Sequence, residues 1–340
     1  MPRVTFLMPV YNGGVFLEEA VASMLAQTYQ DFEILIIDDG STDGSSERLA
    51  AMTDPRIRHE RNATNIGLAA SLNRGMSLCE STFVARMDCD DRCDPRRLEW
   101  QVAYMTQHPD CGMSGTWLRT FGAWHERTLI RYAETMPDIR ANMLFGSPVA
   151  HPTLIFRKAM WDAAGLYYDS SFSRTEDFDL CVRAAERFEI RNLQRCTYAY
   201  RRHADCATRA HVEQMQEQVL AIIRRQVTAL GLTPSDDVLE LHCRANLGRR
   251  LASLDELADV EAWFRQLATT AGETAHAAPE SLARAISQAW FVLCSNSAPL
   301  GRECLRRYQT SPLARAYRPP PLGYARFIAS MVWHALKGTA

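Results

Sequence analysis

An alternation in the first half of the chain limits the fold more than any other feature. "VTFLMPV" (Val4 to Val10) and "FEILIID" (Phe32 to Asp38) are near-continuous apolar runs, and Phe16, Leu17, Ala20, Val21, Met24 and Leu25 recur between them at helical spacing. The pattern continues with a strand at "IRHE" (Ile57 to Glu60), a helix from Gly67 to Cys79 and a fourth strand from Phe83 to Met87. Asp43 or Ser45 can cap the short helix after the second strand. Asp94 reads as an N-cap, with Pro95 at the first position of a helix carrying Leu98, Val102 and Met105. Strands separated by helices imply an α/β fold, a Rossmann-like mostly parallel sheet flanked by helices. Ligands of such sheets gather at the strand C-termini. By that rule Tyr11, Asp38, Asp39, Asp88 and Asp90 share one rim.

Beyond this, Cys111 to Gly146 reads as a mixture of strands and loop, and "HPTLIFR" (His151 to Arg157) as a short strand. Glu176 and Asp177 open a helix carrying Phe178, Cys181, Val182 and Ala185, and "RNLQRCTYAYRRH" is a final strand. From His211 onward the chain is helical in pattern, rich in Ala, Leu, Gln, Glu and Arg. That shift predicts an α/β domain over 1–208 and an all-helical region over 209–340.

With 38 basic and 40 acidic side chains there is no global positive field, which speaks against nucleic acid as a partner. Ten cysteines are scattered without a framework spacing, and the N-terminus runs straight into "RVTFLMPVYN". Reduced thiols and a cytoplasmic location are the expectation. No apolar stretch approaches the ~20 residues that cross a bilayer, so membrane contact would be peripheral, at the inner face.

"FVARMDCDDRC" (Phe83 to Cys93) drives an apolar strand into a row of acids. Asp88 and Asp90, two residues apart in extended backbone, can face one side. Held close they raise each other's pKa unless a cation compensates. A hard divalent ion, Mn²⁺ or Mg²⁺, resolves this with one or two carboxylates plus phosphate oxygens. The competing reading is a solvated acidic turn before a helix N-terminus, where negative charge is favourable anyway. Alternation points Cys89 away from the two aspartates, to pack, while Asp91 supports the loop.

The stretches "FLMPVYNGGVFLEEAVASMLAQTYQDFEILIIDDGSTDGS", "NIGLAASLNRG", "ARMDCDDRCDPRRLEWQ", "HPTLIFRK", "TEDFDLCVRA" and "YRRH" follow one another over roughly residues 3–203. In this order they resemble the family 2 glycosyltransferases, inverting enzymes that use the nucleotide-sugar-binding GT-A fold. The resemblance implies a nucleotide-diphosphate-sugar site formed by Pro9, Val10, Tyr11, Asn12, Asp38, Asp39, Asn65, Gly67, Asp88 and Arg201. Within it Asp39 holds the base, a uracil or another, and Asp88 faces the ribose or bridges toward the metal. Asp90, with Asp88 and His203, is the implied ligand set for Mn²⁺ or Mg²⁺. Asp177 is the implied catalytic base, with Glu176 orienting it or the acceptor. Capping is the alternative role for Glu176 and Asp177, since acids in a first turn stabilise a helix by about 0.3–1 kcal/mol.

The implied reaction transfers a sugar from the donor, UDP-linked by expectation, to a hydroxyl of a saccharide or lipid-linked acceptor, in cell-surface polysaccharide or glycan synthesis. A base must lie within hydrogen-bond reach of that hydroxyl. Many members carry Arg before the Asn of the second stretch, where this chain has Leu72. His151 can approach acceptor or diphosphate, or sit packed and hydrogen-bonded beside its strand; Arg201 and Arg202 are equal candidates for the diphosphate. Competing functions are a non-catalytic nucleotide-sugar binder or assembly subunit, and a nucleotidyltransferase, which shares the sheet and acidic site.

Residues 301–340 carry Arg302, Arg306, Arg307, Arg315, Arg318, Arg326 and Lys337 against one acid, Glu303, interleaved with five aromatic residues, Tyr308 to Trp333. That composition suits an anionic membrane surface; a helix docked on the first domain with solvated arginines is the alternative.

Overall fold

In strand β1 (Val4–Val10) all seven side chains are buried, as expected of a run with no polar face. It pairs in parallel with β2 (Phe32–Asp38) on one side and β4 (Phe83–Arg86) on the other, and β3 (Ile57–Arg61) flanks β2. The computed structural model describes residues 1–122, 128–202, 212–246, 249–273 and 278–337. Contacts divide the chain into two compact units, Met1–Met136 with Ser147–Val212, and Pro137–Gly146 with Glu213–Ala340.

In the first unit the described residues form one sheet in the order β3, β2, β1, β4, β8 (Ile155–Arg157), β6 (Cys111–Gly122), β9 (Glu189–Arg202) and β5 (Arg92–Cys93), with β7 (Leu129–Ile130) on β6. The half holding β1 to β4 is parallel, as expected. Past β4 the direction reverses through β8, and β6 and β9 then run parallel to each other. The two-residue β5 pairs antiparallel with β9. Helices α1 (Leu17–Leu25), α2 (Ser45–Ala50), α3 (Leu68–Leu78) and α4 (Arg97–Gln107) connect the strands. Leu17, Val21 and Met24 of α1 and Leu98, Val102 and Met105 of α4 join one core with Phe6, Met8 and Ile34. Each such burial is worth about 1.5–3 kcal/mol. On the other side α3 packs so closely that a Cβ on Gly75 would lie 2.2 Å from Leu7 Cδ1.

Two local expectations are corrected. "HPT" is a turn of 3-10 helix, His151–Thr153, and only Ile155–Arg157 is strand. Pro152 has no N–H for a ladder, and the Thr153 hydroxyl bonds the Ala150 carbonyl at 2.8 Å. Helix α4 starts two residues later than read, because Asp94 Oδ1 accepts from Arg96 N (2.8 Å) and closes a turn first. Helices α6 (Lys158–Ala163) and α7 (Glu176–Ala184) complete the unit.

The second unit is helical: α8 (Val212–Ala229), α9 (Asp236–Asn246), α10 (Leu254–Glu273), α11 (Pro279–Asn296), α12 (Arg302–Thr310) and α13 (Pro321–Lys337). It includes most of α5 (Met136–Met143). Trp263 Nε1 donates to His242 Nδ1 (2.9 Å), so the proton of this imidazole sits on Nε2, which donates to the Leu144 carbonyl (2.6 Å). Burial pushes His242 down to about 4, so the ring is neutral and serves as a hydrogen-bonded core residue. Phe145 stacks on it at 5.0 Å. Among the described residues no helix is long and apolar enough to cross a membrane.

Candidate active site

The parallel ladder continues past the strand ends: Asp39 N donates to Val10 O (2.7 Å) and Met87 N to Leu7 O (3.0 Å). Tyr11, Asp39 and Asp88 therefore leave the sheet at one edge. Pro9 and Val10 are buried strand residues, whereas Tyr11 is half exposed, at 50%. Asn12 adopts φ 51°, a left-handed turn that asparagine tolerates better than most side chains. Its Oδ1 accepts from Thr42 N (2.9 Å), and its N donates to Ser41 Oγ (2.9 Å), lacing the first loop to the second.

The two acids of "DDG" face opposite ways. Asp38 is fully buried, and its oxygens accept from Ser41 N (2.9 Å) and Ser46 Oγ (2.6 Å) with Arg61 Nε 3.4 Å away. Burial pushes its carboxyl up, but those hydrogen bonds and the arginine outweigh burial and hold it below the usual value. Asp38 thus anchors its own loop. Asp39 accepts from Asn62 Nδ2 (2.7 Å), Ile66 N (2.9 Å) and Gly67 N (2.9 Å), fixing the loop that carries Asn65, whose Oδ1 also accepts from Gly67 N. Asn65 itself is exposed.

At the end of β4 the carboxylates of Asp88, Asp90 and Asp91 converge, with one oxygen from each within 4.8 Å of the others. Asp91 is fully buried; its Oδ1 accepts from Arg201 N (2.6 Å), and its Oδ2 has no hydrogen-bond partner of good geometry. Burial, then the neighbouring aspartates, pushes Asp91 well up; Asp88 is raised by burial and by Asp90 against the opposing pull of Arg86. An all-oxygen set with an orphaned buried oxygen and mutual repulsion fits a hard divalent cation. Burial and these acids also push the Cys89 thiol up, so it stays protonated and packs against the core. Arg201 Nε donates to the Asp90 carbonyl (2.7 Å), and its guanidinium pairs with Glu19 and lies over Phe16 and Phe121. It clasps the acidic loop from below. His203 lies outside the described residues.

Motif reading missed Arg86. It is 3% exposed, pairs with Asp88 Oδ2, and its Nε has no hydrogen-bond partner. Burial disfavours its charge, but Asp88 and Tyr198 outweigh burial and keep it firmly protonated. Its charge reaches Glu176 and Asp177 as well, so both carboxylate groups share one electrostatic environment. Arg97, fully buried, donates to the Arg86 carbonyl (2.8 Å) and fixes the backbone there. A lone arginine closing an apolar strand carries no sequence signal until its acidic neighbours are known.

Helix α7 opens with Glu176 and Asp177. Ser147 Oγ lies 3.2 Å from Asp177 Oδ2, and burial raises the Asp177 pKa. Tyr132 stands nearby, its phenol pushed up to about 12 by burial and by Asp177. Glu176 is buried, and burial together with Asp177 pushes it up to about 8. His151 Nδ1 lies 3.8 Å from Glu176 Oε1, but burial and Arg86 hold the imidazole well below its usual pKa. Near pH 7 this contact therefore joins two neutral groups. His151 Nε2 meets Tyr168 Oη at 3.1 Å, and the Tyr168 backbone is clamped by both ends of the Asn73 amide at 2.8 Å. Leu72 is fully buried.

Residues 5–163 match the model of Glycosyl transferase family 2. A putative glycosyltransferase, EpsE, of Bacillus subtilis is 34% identical over 215 residues, covering 61% of this chain and 76% of the relative. The O-antigen biosynthesis glycosyltransferase WbnJ of Escherichia coli is 32% identical over 209 residues, covering 60% and 81%. The structure of S. aureus TarS 1-349 in complex with UDP-GlcNAc has the same fold, with TM-score 0.56 and 18% identity over 97% of this chain and 89% of that one. The likeness in sequence to EpsE and WbnJ, and the acidic rim on a GT-A-type sheet, lead to one conclusion: the chain belongs to glycosyl transferase family 2.

Proposed function

We propose that the protein transfers a sugar, with inversion, from a nucleotide-diphosphate sugar to a hydroxyl of a saccharide or lipid-linked saccharide in cell-surface polysaccharide synthesis. The observation that carries this reading is the convergence of the Asp88, Asp90 and Asp91 carboxylates at the end of β4, on the edge where Tyr11 and Asp39 also leave the sheet. A UDP-linked donor is supported by the solved complex of TarS with UDP-GlcNAc. The relative of O-antigen biosynthesis supports a polysaccharide product. The first unit carries the chemistry in this reading.

Asp88, Asp90 and Asp91 would hold Mn²⁺ or Mg²⁺, with His203 as the further candidate from the sequence. A divalent ion bound there supplies positive charge against the charge that builds on a departing diphosphate. Tyr11 and the loop fixed by Asp39 receive the nucleoside. Asp177 takes the proton of the acceptor hydroxyl; its raised pKa brings it closer to the operating range of a general base. Ser147 orients that carboxylate. Glu176, largely protonated near neutral pH, leaves Asp177 as the working base and adds no second negative charge beside it. Asp177→Asn is expected to bind donor and Mn²⁺ as the parent does but to lose at least ~100-fold in transfer; near-normal turnover would remove Asp177 as base.

A further inference from the structure

Helix α13 is apolar on two opposite sides. Phe327 and Met331 are buried, and the Phe327 ring meets those of Phe291 and Tyr308 at 6.2 and 6.0 Å. That face belongs to the core of the helical unit. The other face is the unusual one. Leu322 is 77% exposed, Ile328 36%, Val332 45% and Trp333 57%, and Ala325 and Ala329 are exposed between them. At 3.6 residues per turn these six fall on one arc opposite Phe327, with no charged side chain among them and the exposed Arg326 at its border. A surface helix ordinarily turns charged residues to solvent; a continuous apolar arc marks a surface that is covered in use.

The charge of the segment leading to the helix selects what covers it. Arg302, Arg306, Arg315 and Arg318 are exposed in the segment leading to the helix. Glu303, the only acid of residues 301–340, is already paired with Arg306 and Arg307. A second copy docked through this face would bring the same arginines together across a two-fold axis. An anionic lipid surface accepts both features at once, the apolar arc and tryptophan at the acyl boundary and the arginines among headgroups. The helix is ~25 Å long, enough to lie in that boundary.

We propose that α13 docks the protein on anionic bilayers, lying in the interface with Leu322, Val332 and Trp333 inserted. The proposal is independent of the sugar-transfer reading. It is tested by cosedimentation of the full chain with vesicles of phosphatidylglycerol and phosphatidylcholine, against phosphatidylcholine alone. The parent is expected to bind the anionic vesicles and to release at high salt. Leu322→Glu/Val332→Glu, both at exposed positions, should bind at least ~10-fold more weakly, and Arg315→Glu/Arg318→Glu should lose the preference for anionic lipid, with thermal unfolding unchanged in both. No binding of the parent, equal binding by both variants, or a concentration-dependent dimer that the apolar-face variant abolishes would overturn it.

Discussion

At the residue scale the site is organised by Arg86. A buried arginine is costly unless paired, and here Asp88 pairs with it. Arg86→Met should therefore destabilise the protein by about 3 kcal/mol in urea unfolding with EDTA. Added Mn²⁺ should restore part of that loss by neutralising the aspartates left behind. Glu176 gives a second expectation. Its folded pKa, about 8, lies above the unfolded value of 4.5, so the folded state binds more protons between the two. Stability from this group falls as pH rises through that window. Glu176→Gln removes that slope: its stability relative to the parent should grow from about pH 5 to pH 8 and then level off. A constant difference across that range would mean that Glu176 ionises normally. Asp88 and Asp90 were legible as a candidate pair because they follow a strand end, whereas Glu176 and Asp177 read as helix caps until the family resemblance gave them a role. Arg86, Arg97, Tyr132 and Ser147 were not, because their meaning depends on partners far along the chain.

At the element scale the loops at the strand ends are held by polar contacts to one another rather than by apolar burial. Asp39 pins the loop at residues 62–67, and the "DDG" turn approaches that loop at Gly40. Gly40 has φ +74°, and a Cβ there would lie 2.7 Å from the Thr64 carbonyl carbon. Gly40→Ala is expected to cost about 2 kcal/mol or more and to weaken donor binding, read by thermal unfolding and calorimetric titration with UDP. The same close-approach logic explains why the length and place of β6 were not legible, although strands were expected in that segment. "CGMSGTWLRTFG" is broken by Gly and Ser and has weak alternation, yet it is a twelve-residue strand. Gly112 leaves room for the Phe188 ring and Gly115 for the Asn192 amide, whose atoms would lie 2.4 Å from an added Cβ. Its glycines and buried polar groups are satisfied by β9 and its flanks, as in Thr116 Oγ1 to Thr197 Oγ1 at 2.7 Å. Pairing across some 80 residues overrides local pattern. The β1 and β2 strands, apolar throughout, needed no such partner to be read.

At the scale of the whole molecule, the composition change near residue 210 announced the helical region, while the short segment Pro137–Gly146 that belongs with those helices lacked any sequence signal. His242 holds it through the Leu144 carbonyl and the Phe145 ring. In the proposed reaction the acidic cluster and Asp177 together transfer sugar from a nucleotide donor. Incubating the purified chain with a panel of nucleotide sugars and Mn²⁺, and identifying the released phosphate species, tests it most directly. Free nucleoside diphosphate is expected from one donor, with its release lost on adding EDTA and in Asp90→Asn. Release of pyrophosphate, or nucleoside diphosphate release undiminished by EDTA and by that substitution, would contradict it.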